Sequence, residues 1–506
     1  MNLVDALWGR AKLEGIQWLL LSPASRRALR SQLKAQLSAP AMLGPCRLRR
    51  ARFKPGRRLR AYYDAMVRVE GTEGYCARPI AVTWSLDGES DRHQGGDDFA
   101  GIQAEALRRG VAAPFRQLTA DLPDWSMQIQ VSPLDAQYLQ LVRLSDPRHV
   151  RDMLAGVCAA AELGPEQVPA SQYTVTAIRY RPGQRHVLRY DPLEPKGETV
   201  FAKLYTGEEG ARVFRVATQV GEWLAQHGQG VTSVRPLAYV AEDGVVLYPG
   251  LSGVPLSDQL RRPGQGVARC LERTGAALHA LHHLPPTVAG PLHLHDFAAE
   301  VSKIARASDH ISVLLPSVGA VIGALLDRAR ELHDRLPQEP PTFTHGDFKS
   351  DHVWAAPGGP TLIDFDTSCL ADPAYDVGKF LAHLQLWHAT HDQSGLQQVQ
   401  EKFRCGYAPG APEERLVRAR LYEAVELVKI TAHHVPLFDQ HWASRTERLI
   451  RRAHAVMNDL ERTLGLPATP PSLQGFLSEA RQRHLATTPA ASDVARLLGE
   501  EHGAHA

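Results

Sequence analysis

Apolar residues Leu3, Leu7, Leu13 and Ile16 to Leu20 recur at loosely helical spacing over the first forty or so residues, until Ser22-Pro23 interrupts them. From Arg47 the pattern changes, and short strands broken by turns are expected. The segment Arg52-Phe53-Lys54-Pro55-Gly56, followed by Arg58 and Tyr63-Asp64, reappears as Arg179-Tyr180-Arg181-Pro182-Gly183, followed by Arg185 and Tyr190-Asp191. Two strands joined by a Pro-Gly turn explain both copies, because proline presets the first turn dihedral and glycine accepts a positive one. Either a small strand-rich unit was used twice, or two similar hairpins arose by chance.

After the second hairpin, Thr199 to Tyr205 reads as a buried strand carrying a single lysine, Lys203, whereas Tyr75 to Trp84 at the comparable place in the first copy has none. A helix is expected over Glu208 to His227, and two short strands over Pro236 to Tyr248, ending at Pro249-Gly250. Strand signals then thin out. Val267, Leu271, Thr274, Leu278 and Leu281 form one helical stripe, and Val417, Leu421, Val425, Val428 and Val435 approximate another. Strand-rich sequence followed by helix-rich sequence predicts an α+β chain with a cleft between its parts. The expected units are an N-terminal domain over 1–165, a small lobe over 166–250, a helical lobe over 251–466, and a loosely attached tail over 467–506 with one short helix near Val494 to Leu498.

Composition narrows the classes. A chain of 506 residues is too long for one ordinary core, and 57 Lys plus Arg against 55 Asp plus Glu gives no global case for a nucleic-acid or membrane-surface partner. Six scattered cysteines without a C-x-x-C pair fit neither a zinc knuckle nor a disulfide framework, and a cytoplasmic setting is expected. Ile16 to Leu21 is too short for a membrane span. The stretch from Arg47 to Arg60 holds eight basic residues and no acid, and reads as a solvated hairpin face before it reads as a nucleic-acid surface.

The chemistry concentrates in Phe343-Thr344-His345-Gly346-Asp347-Phe348-Lys349-Ser350-Asp351-His352, followed by Thr361-Leu362-Ile363-Asp364-Phe365-Asp366. Pro357-Gly358-Gly359-Pro360 supplies a turn, so a hairpin brings Asp347 and Asp364 to the same end of a cleft. Phosphoryl transfer needs such a pair: one carboxylate to take a hydroxyl proton and one to hold a divalent cation against the phosphates. Lys203 supplies a long-stemmed cation for the phosphates. Glu423 and Glu426, with His433 nearby, offer carboxylates for a cationic acceptor pocket, or are ordinary helix-surface acids.

His345-Gly346-Asp347 with a polar residue five places later, then Ile363-Asp364, then Asp372-Pro373 and Asp376-Val377-Gly378, resembles the aminoglycoside phosphotransferase and choline kinase family, over roughly Gln172 to Leu464. The resemblance implies a two-lobed protein-kinase-like fold, with a small β-rich lobe and a larger helical lobe. To these the chain adds an N-terminal α+β domain, a candidate duplicate of the small lobe. It further implies ATP between the lobes, Mg²⁺ or Mn²⁺, and a small-molecule hydroxyl or amine as acceptor. By resemblance Asp347 is the catalytic carboxylate, Asp364 the metal ligand and Lys203 the phosphate lysine. Lys349 is similar to the lysine of protein-kinase catalytic loops that approaches the transferred phosphate. Glu222 is expected to orient Lys203, with Glu208 and Glu209 as nearer alternatives. In place of a glycine-rich loop, the Arg179 to Arg189 hairpin, including Arg185, covers the phosphates beside Tyr248 of the linker-like Leu247-Tyr248-Pro249-Gly250.

His352 departs from the family, which usually has Asn there as a second metal ligand. Imidazole is a poorer partner for hard Mg²⁺, so the departure leaves open a single well-held metal, a preference for Mn²⁺, or weak activity. The rival expectation is a nucleotide-binding pseudokinase with a regulatory or scaffolding role, its N-terminal domain engaging a protein partner. Asp372 and Asp376 are expected to brace loops and cap helices before doing any chemistry.

Overall fold

The computed structural model describes residues 2–69, 74–86, 96–160, 172–195, 197–262, 264, 266–356 and 358–466. The expected tail, with its helix near Val494, lies outside them. The first forty residues fold into helices Leu3–Leu7, Lys12–Leu21 and Pro23–Gln36. Ser22 ends one and starts the next, because its hydroxyl accepts from the Ser25 amide at 3.2 Å and Pro23 needs no amide partner in the first turn.

Two five-stranded antiparallel sheets follow, and they share one topology. The first runs, in spatial order, Met42–Lys54, Arg58–Arg68, Cys76–Ser85, Met127–Val131 and Thr119–Leu122, with helix Gly96–Arg108 between its third and fourth strands in sequence. The second runs Tyr173–Arg179, Val187–Pro192, Val200–Leu204, Val245–Pro249 and Ala238–Val240, with helix Glu209–His227 at the equivalent place. Its strands are short, as expected, but the first hairpin is longer than the turn signals suggest, with 13 and 11 residues in its strands. Alternation explains that length: Leu59, Ala61, Tyr63, Ala65 and Val67 all face the core. Both Pro-Gly turns carry the required positive dihedral, φ 69° at Gly56 and 73° at Gly183.

Helices Gln140–Leu144 and Pro147–Ala160 precede residue 166, yet Leu141, Leu144, Val150 and Leu154 share a core with Leu188, Tyr190, Leu204 and Leu247 of the second sheet. The helical lobe contains Val267–His282, Pro316–Arg335, Ala374–His391, Glu413–His434 and Trp442–Thr463, and the anticipated stripes are buried at Leu271, Leu278, Leu281, Leu421, Val425 and Val428. Strands Thr342–Thr344 and Cys369–Ala371 pair at the base of this lobe and frame the polar loop between them. The six cysteines form no disulfide. No described helix is long and apolar enough to cross a membrane.

Candidate active site

Val353–Ala356 pairs with Gly359–Leu362 as the sequence predicts, and the hairpin delivers Asp347 and Asp364 to the two sides of one imidazole. His352 Nδ1 lies 3.7 Å from Asp347 Oδ2, and His352 Nε2 lies 3.4 Å from Asp364 Oδ2. The loop is held from below. Asp376, fully buried, accepts from the backbone amides of His345 at 2.7 Å and Gly346 at 2.9 Å. Asp372 accepts from the Ala374 amide and pairs with Arg418 at 2.7 Å. Both aspartates therefore brace, as expected. Gly346 is obligatory at φ 75°, since a Cβ there would sit 2.2 Å from the Thr367 carbonyl oxygen. Asp364 also adopts a left-handed conformation, φ 70°, a strain that aspartate tolerates better than most residues and that aims its carboxylate into the cleft.

Three cations crowd the loop and its partner. Lys349 Nζ is 2.6 Å from Asp347 Oδ2, and Lys379 Nζ is 3.0 Å from Asp347 Oδ1. Burial would raise the Asp347 pKa, but Lys379, His352 and Lys349 together hold it well below the usual carboxylate range. Across the cleft, Lys203 Nζ reaches Asp364 Oδ1 at 2.9 Å and Asp366 Oδ2 at 3.5 Å, and it stands over the Tyr248 ring at 5.3 Å. Burial works against the charged lysine, yet Asp364 and Asp366 raise its pKa above the ordinary value. Burial pushes Asp366 up, while Lys203 and His352 hold Asp364 far down against the same effect. Asp366 is also held by Arg185 and by the Tyr205 hydroxyl, which donates at 2.9 Å.

Lys203, Arg185, Tyr248, Asp347, Lys349, His352 and Asp364 thus converge. Glu222 does not. It pairs with Arg235 at 3.1 Å on the outer surface, so the sequence-based assignment is corrected: Asp364 and Asp366, and no glutamate of helix Glu209–His227, take Lys203. Glu423 and Glu426 are interior groups, the first engaged by Gln385, Gln400 and Arg420 and the second by Lys429 at 2.9 Å, so neither opens to a cationic ligand. Sequence reasoning missed Lys379, Asp366 and Tyr205. The second aspartate of Asp364-x-Asp366 was a visible signal; Lys379 had none beyond its place three residues after Asp376.

The arginine hairpin is held by the N-terminal part of the chain. Asp135 Oδ2 accepts from the Gly183 amide at 2.8 Å and lies 2.7 Å from His186 Nε2, while the Tyr180 hydroxyl donates to the Leu134 carbonyl at 2.6 Å. A clamp from outside the small lobe thus orders the turn that lacks a glycine-rich sequence.

The donor set fits a divalent cation of limited kind. Burial brings the His352 pKa down to about 4, so the ring is neutral, and Nδ1, 2.9 Å from the Asp347 carbonyl oxygen, must be its donor. The Nε2 lone pair then faces Asp364 Oδ2, and two acceptors opposed in this way are reconciled by a cation between them. No group of three His, Cys, Asp or Glu side chains placed to hold a metal is found among the described residues.

Comparison with known proteins gives one family. The model of the phosphotransferase enzyme family (APH) matches residues 193–416, which include Lys203, the polar loop and both aspartates. Among solved structures, a spectinomycin phosphotransferase in complex with ADP and its antibiotic aligns at 13% identity, over 61% of this chain and 98% of that one, with a TM-score of 0.41. A choline/ethanolamine kinase family protein from Mesorhizobium loti aligns at 16% identity, over 66% and 99%, TM-score 0.40. An ethanolamine kinase from Plasmodium vivax aligns at 12% identity, over 60% and 88%, TM-score 0.41. No curated protein matches. Residues 193–416 are thus similar to the phosphotransferase enzyme family, and here they span part of the β-rich lobe and the helical lobe set against it.

Proposed function

We propose that the chain transfers the terminal phosphoryl group of ATP to a hydroxyl of a small molecule, with Asp347 as the proton acceptor and Asp364 with His352 as ligands of Mg²⁺ or Mn²⁺. The observation that supports this most is the shared imidazole, which sets the two carboxylates on either side of one ring. Asp347 orients the acceptor hydroxyl and takes its proton as the new O–P bond forms. The bond from the γ-phosphorus to the bridging oxygen breaks, and its electron pair leaves with ADP. Lys349 stands beside Asp347 to meet the transferred group, while Lys203 and Arg185, which flank the Asp364 and Asp366 carboxylates, neutralise the phosphates. The cation, when bound, neutralises charge on the β and γ phosphates. A depressed Asp347 pKa makes it a weak base, which a loose transition state tolerates because the proton moves late.

We also infer that the N-terminal domain, within 1–165, is a degenerate copy of the small lobe over 166–250. The common strand order and the repeated Pro-Gly hairpin support it.

ADP release across a panel of alcohols tests the activity. Asp347→Asn should lower kcat by about 100- to 10,000-fold, the usual contribution of a positioned base. Full turnover in that variant would reject the assignment, and metal-dependent ATP binding with no turnover on any acceptor would favour a pseudokinase. His352→Asn, which substitutes an amide oxygen, should move the metal preference from Mn²⁺ toward Mg²⁺.

A further inference from the structure

Where the first sheet, the arginine hairpin and the end of helix Glu413–His434 meet, they enclose a cavity of about 480 Å³. Arg49, Arg50, Arg179, Arg181, His433 and His434 line it. Asp64 is the carboxylate on its wall, and Arg49 already holds it at 2.5 Å. Arg50 donates to the His433 carbonyl oxygen at 3.0 Å, but no carboxylate among the described residues pairs with Arg50, Arg179, Arg181 or the adjacent Arg52. The Nε atoms of Arg50, Arg52 and Arg179 are buried without any hydrogen-bond partner.

Such a cluster is costly to build for its own sake. Like charges repel, and a buried guanidinium that lacks a partner forfeits its hydration. Burial, with Arg52, Arg181 and Arg179 around it, brings the Arg50 pKa down to about 9, and burial with Arg179 and Arg52 brings Arg181 to about 10. The neighbouring histidines add no countercharge. Burial and the arginines keep His433 and His434 neutral, with pKa values of about 4 and about 3. Planar forks converging on a space this size are suited to a phosphate on a small carbon skeleton, whose oxygens accept several charge-assisted bonds at once. The cavity also adjoins the candidate site on both sides. The hairpin that lends it Arg179 and Arg181 also carries Arg185, which holds Asp366, and the His434 ring lies 5.8 Å from that of His383, one turn along helix Ala374–His391 from Lys379.

We propose that this cavity seats an anionic group of the acceptor, so that the hydroxyl substrate is itself an alcohol phosphate, such as a phosphorylated sugar or polyol. The proposal rests on the phosphotransfer reading above. The acceptor's phosphate sits against Arg50, Arg179 and Arg181 while its free hydroxyl points toward Asp347. Transfer then yields a bisphosphorylated product and ADP, with the hydroxyl proton taken by Asp347. Both copies of the repeated hairpin contribute: strand Met42–Lys54 brings Arg49 and Arg50, and the second hairpin brings Arg179 and Arg181.

The test uses the full chain with AMP-PNP filling the nucleotide site. Inorganic phosphate should bind by calorimetry and raise the melting temperature, and Arg50→Gln and Arg181→Gln should each weaken that binding by about 10- to 100-fold, the range of a charged hydrogen bond. Without phosphate, both variants should melt at the same or a higher temperature, because like-charge repulsion is relieved. In turnover, each alcohol is compared with its phosphate monoester. The monoester should be favoured in kcat/KM, mainly through KM, and the double variant should lose the preference. Equal use of neutral alcohols by the unaltered chain, phosphate binding unchanged in the double variant, or a lower melting temperature in phosphate-free buffer would each overturn the proposal. Arginine-dependent phosphate binding with no ester turned over would instead reject phosphotransfer and leave the cavity's ligand class standing. Turnover of neutral alcohols without arginine dependence would do the reverse.

Discussion

The two sheets have one topology and opposite fates. In the second, Val187 pairs with Lys203, and the lysine reaches across the cleft to Asp364. In the first, Arg60 pairs with Thr83 at the matching register, and the threonine hydroxyl merely accepts from Arg60 at 3.2 Å. Their turns differ as well. The Gly56 amide donates to the Leu7 carbonyl at 2.9 Å and the turn lies against the Trp8 ring, so the first hairpin is sealed by its own N-terminal helices. The second turn is pinned at Gly183 and His186 by Asp135, leaving Arg185 to reach Asp366. A shared scaffold therefore does not carry a site with it; the residue opposite the hairpin and whatever lies over the turn decide.

The largest expected effect breaks the symmetry at its centre. Lys203→Met should reduce kcat/KM by about 100-fold or more, since it removes a positioned cation from the phosphates, and Thr83→Ala should leave it within about twofold. Steady-state ADP release on both variants checks this, and comparable losses would mean the first sheet also works on substrate. Next comes the clamp. Asp135→Asn should raise the nucleotide KM by about tenfold with a smaller change in kcat, and lower stability by about 1–3 kcal/mol, because it weakens two buried hydrogen bonds at once. A KM unchanged at reduced stability would make the clamp structural alone.

A smaller effect concerns acid. Burial lowers His310 to a pKa of about 4, and His433 likewise, both where the first sheet meets the helical lobe. Their folded pKa values lie below the ordinary 6.5, so between pH 6.5 and 4 the unfolded chain binds more protons and stability falls as pH falls. Each histidine steepens that slope by up to about 1.4 kcal/mol per pH unit. Urea midpoints at pH 7 and pH 5 should show the loss, and His310→Gln should shrink it. Least of all, Glu222→Gln should change kcat/KM by less than about twofold, because an exposed pair with Arg235 contributes little.

What the sequence made legible was local. The Pro-Gly hairpins, the strand carrying Lys203 and the adjacency of Asp347 and Asp364 all follow from short-range turn chemistry and period. Glu222 was open to correction by the same logic, since Val213, Val216, Val220 and Leu224 define the buried stripe of its helix and leave position 222 outside it. Lys379 was not legible: only the packing of helix Ala374–His391 beneath the loop brings its amine to Asp347. The basic run from Arg47 to Arg60 is a solvated face only in part, with Arg47, Arg49, Lys54 and Arg57 exposed and Arg50 and Arg52 half-buried. Strand alternation puts Arg50 and Arg52 on the face away from the sheet's core, where solvent is the default, and the distant His433 carbonyl accepts from Arg50 there.

The pinned turn has a consequence for how ligands come and go. A phosphate-covering loop that is rich in glycine lifts independently of its lobe, like a latch. Here the tip is fastened to Asp135, so it has no separate freedom to rise. Under the function proposed above, opening that tip for nucleotide exchange means breaking the Asp135 hydrogen bonds or moving both sheets together.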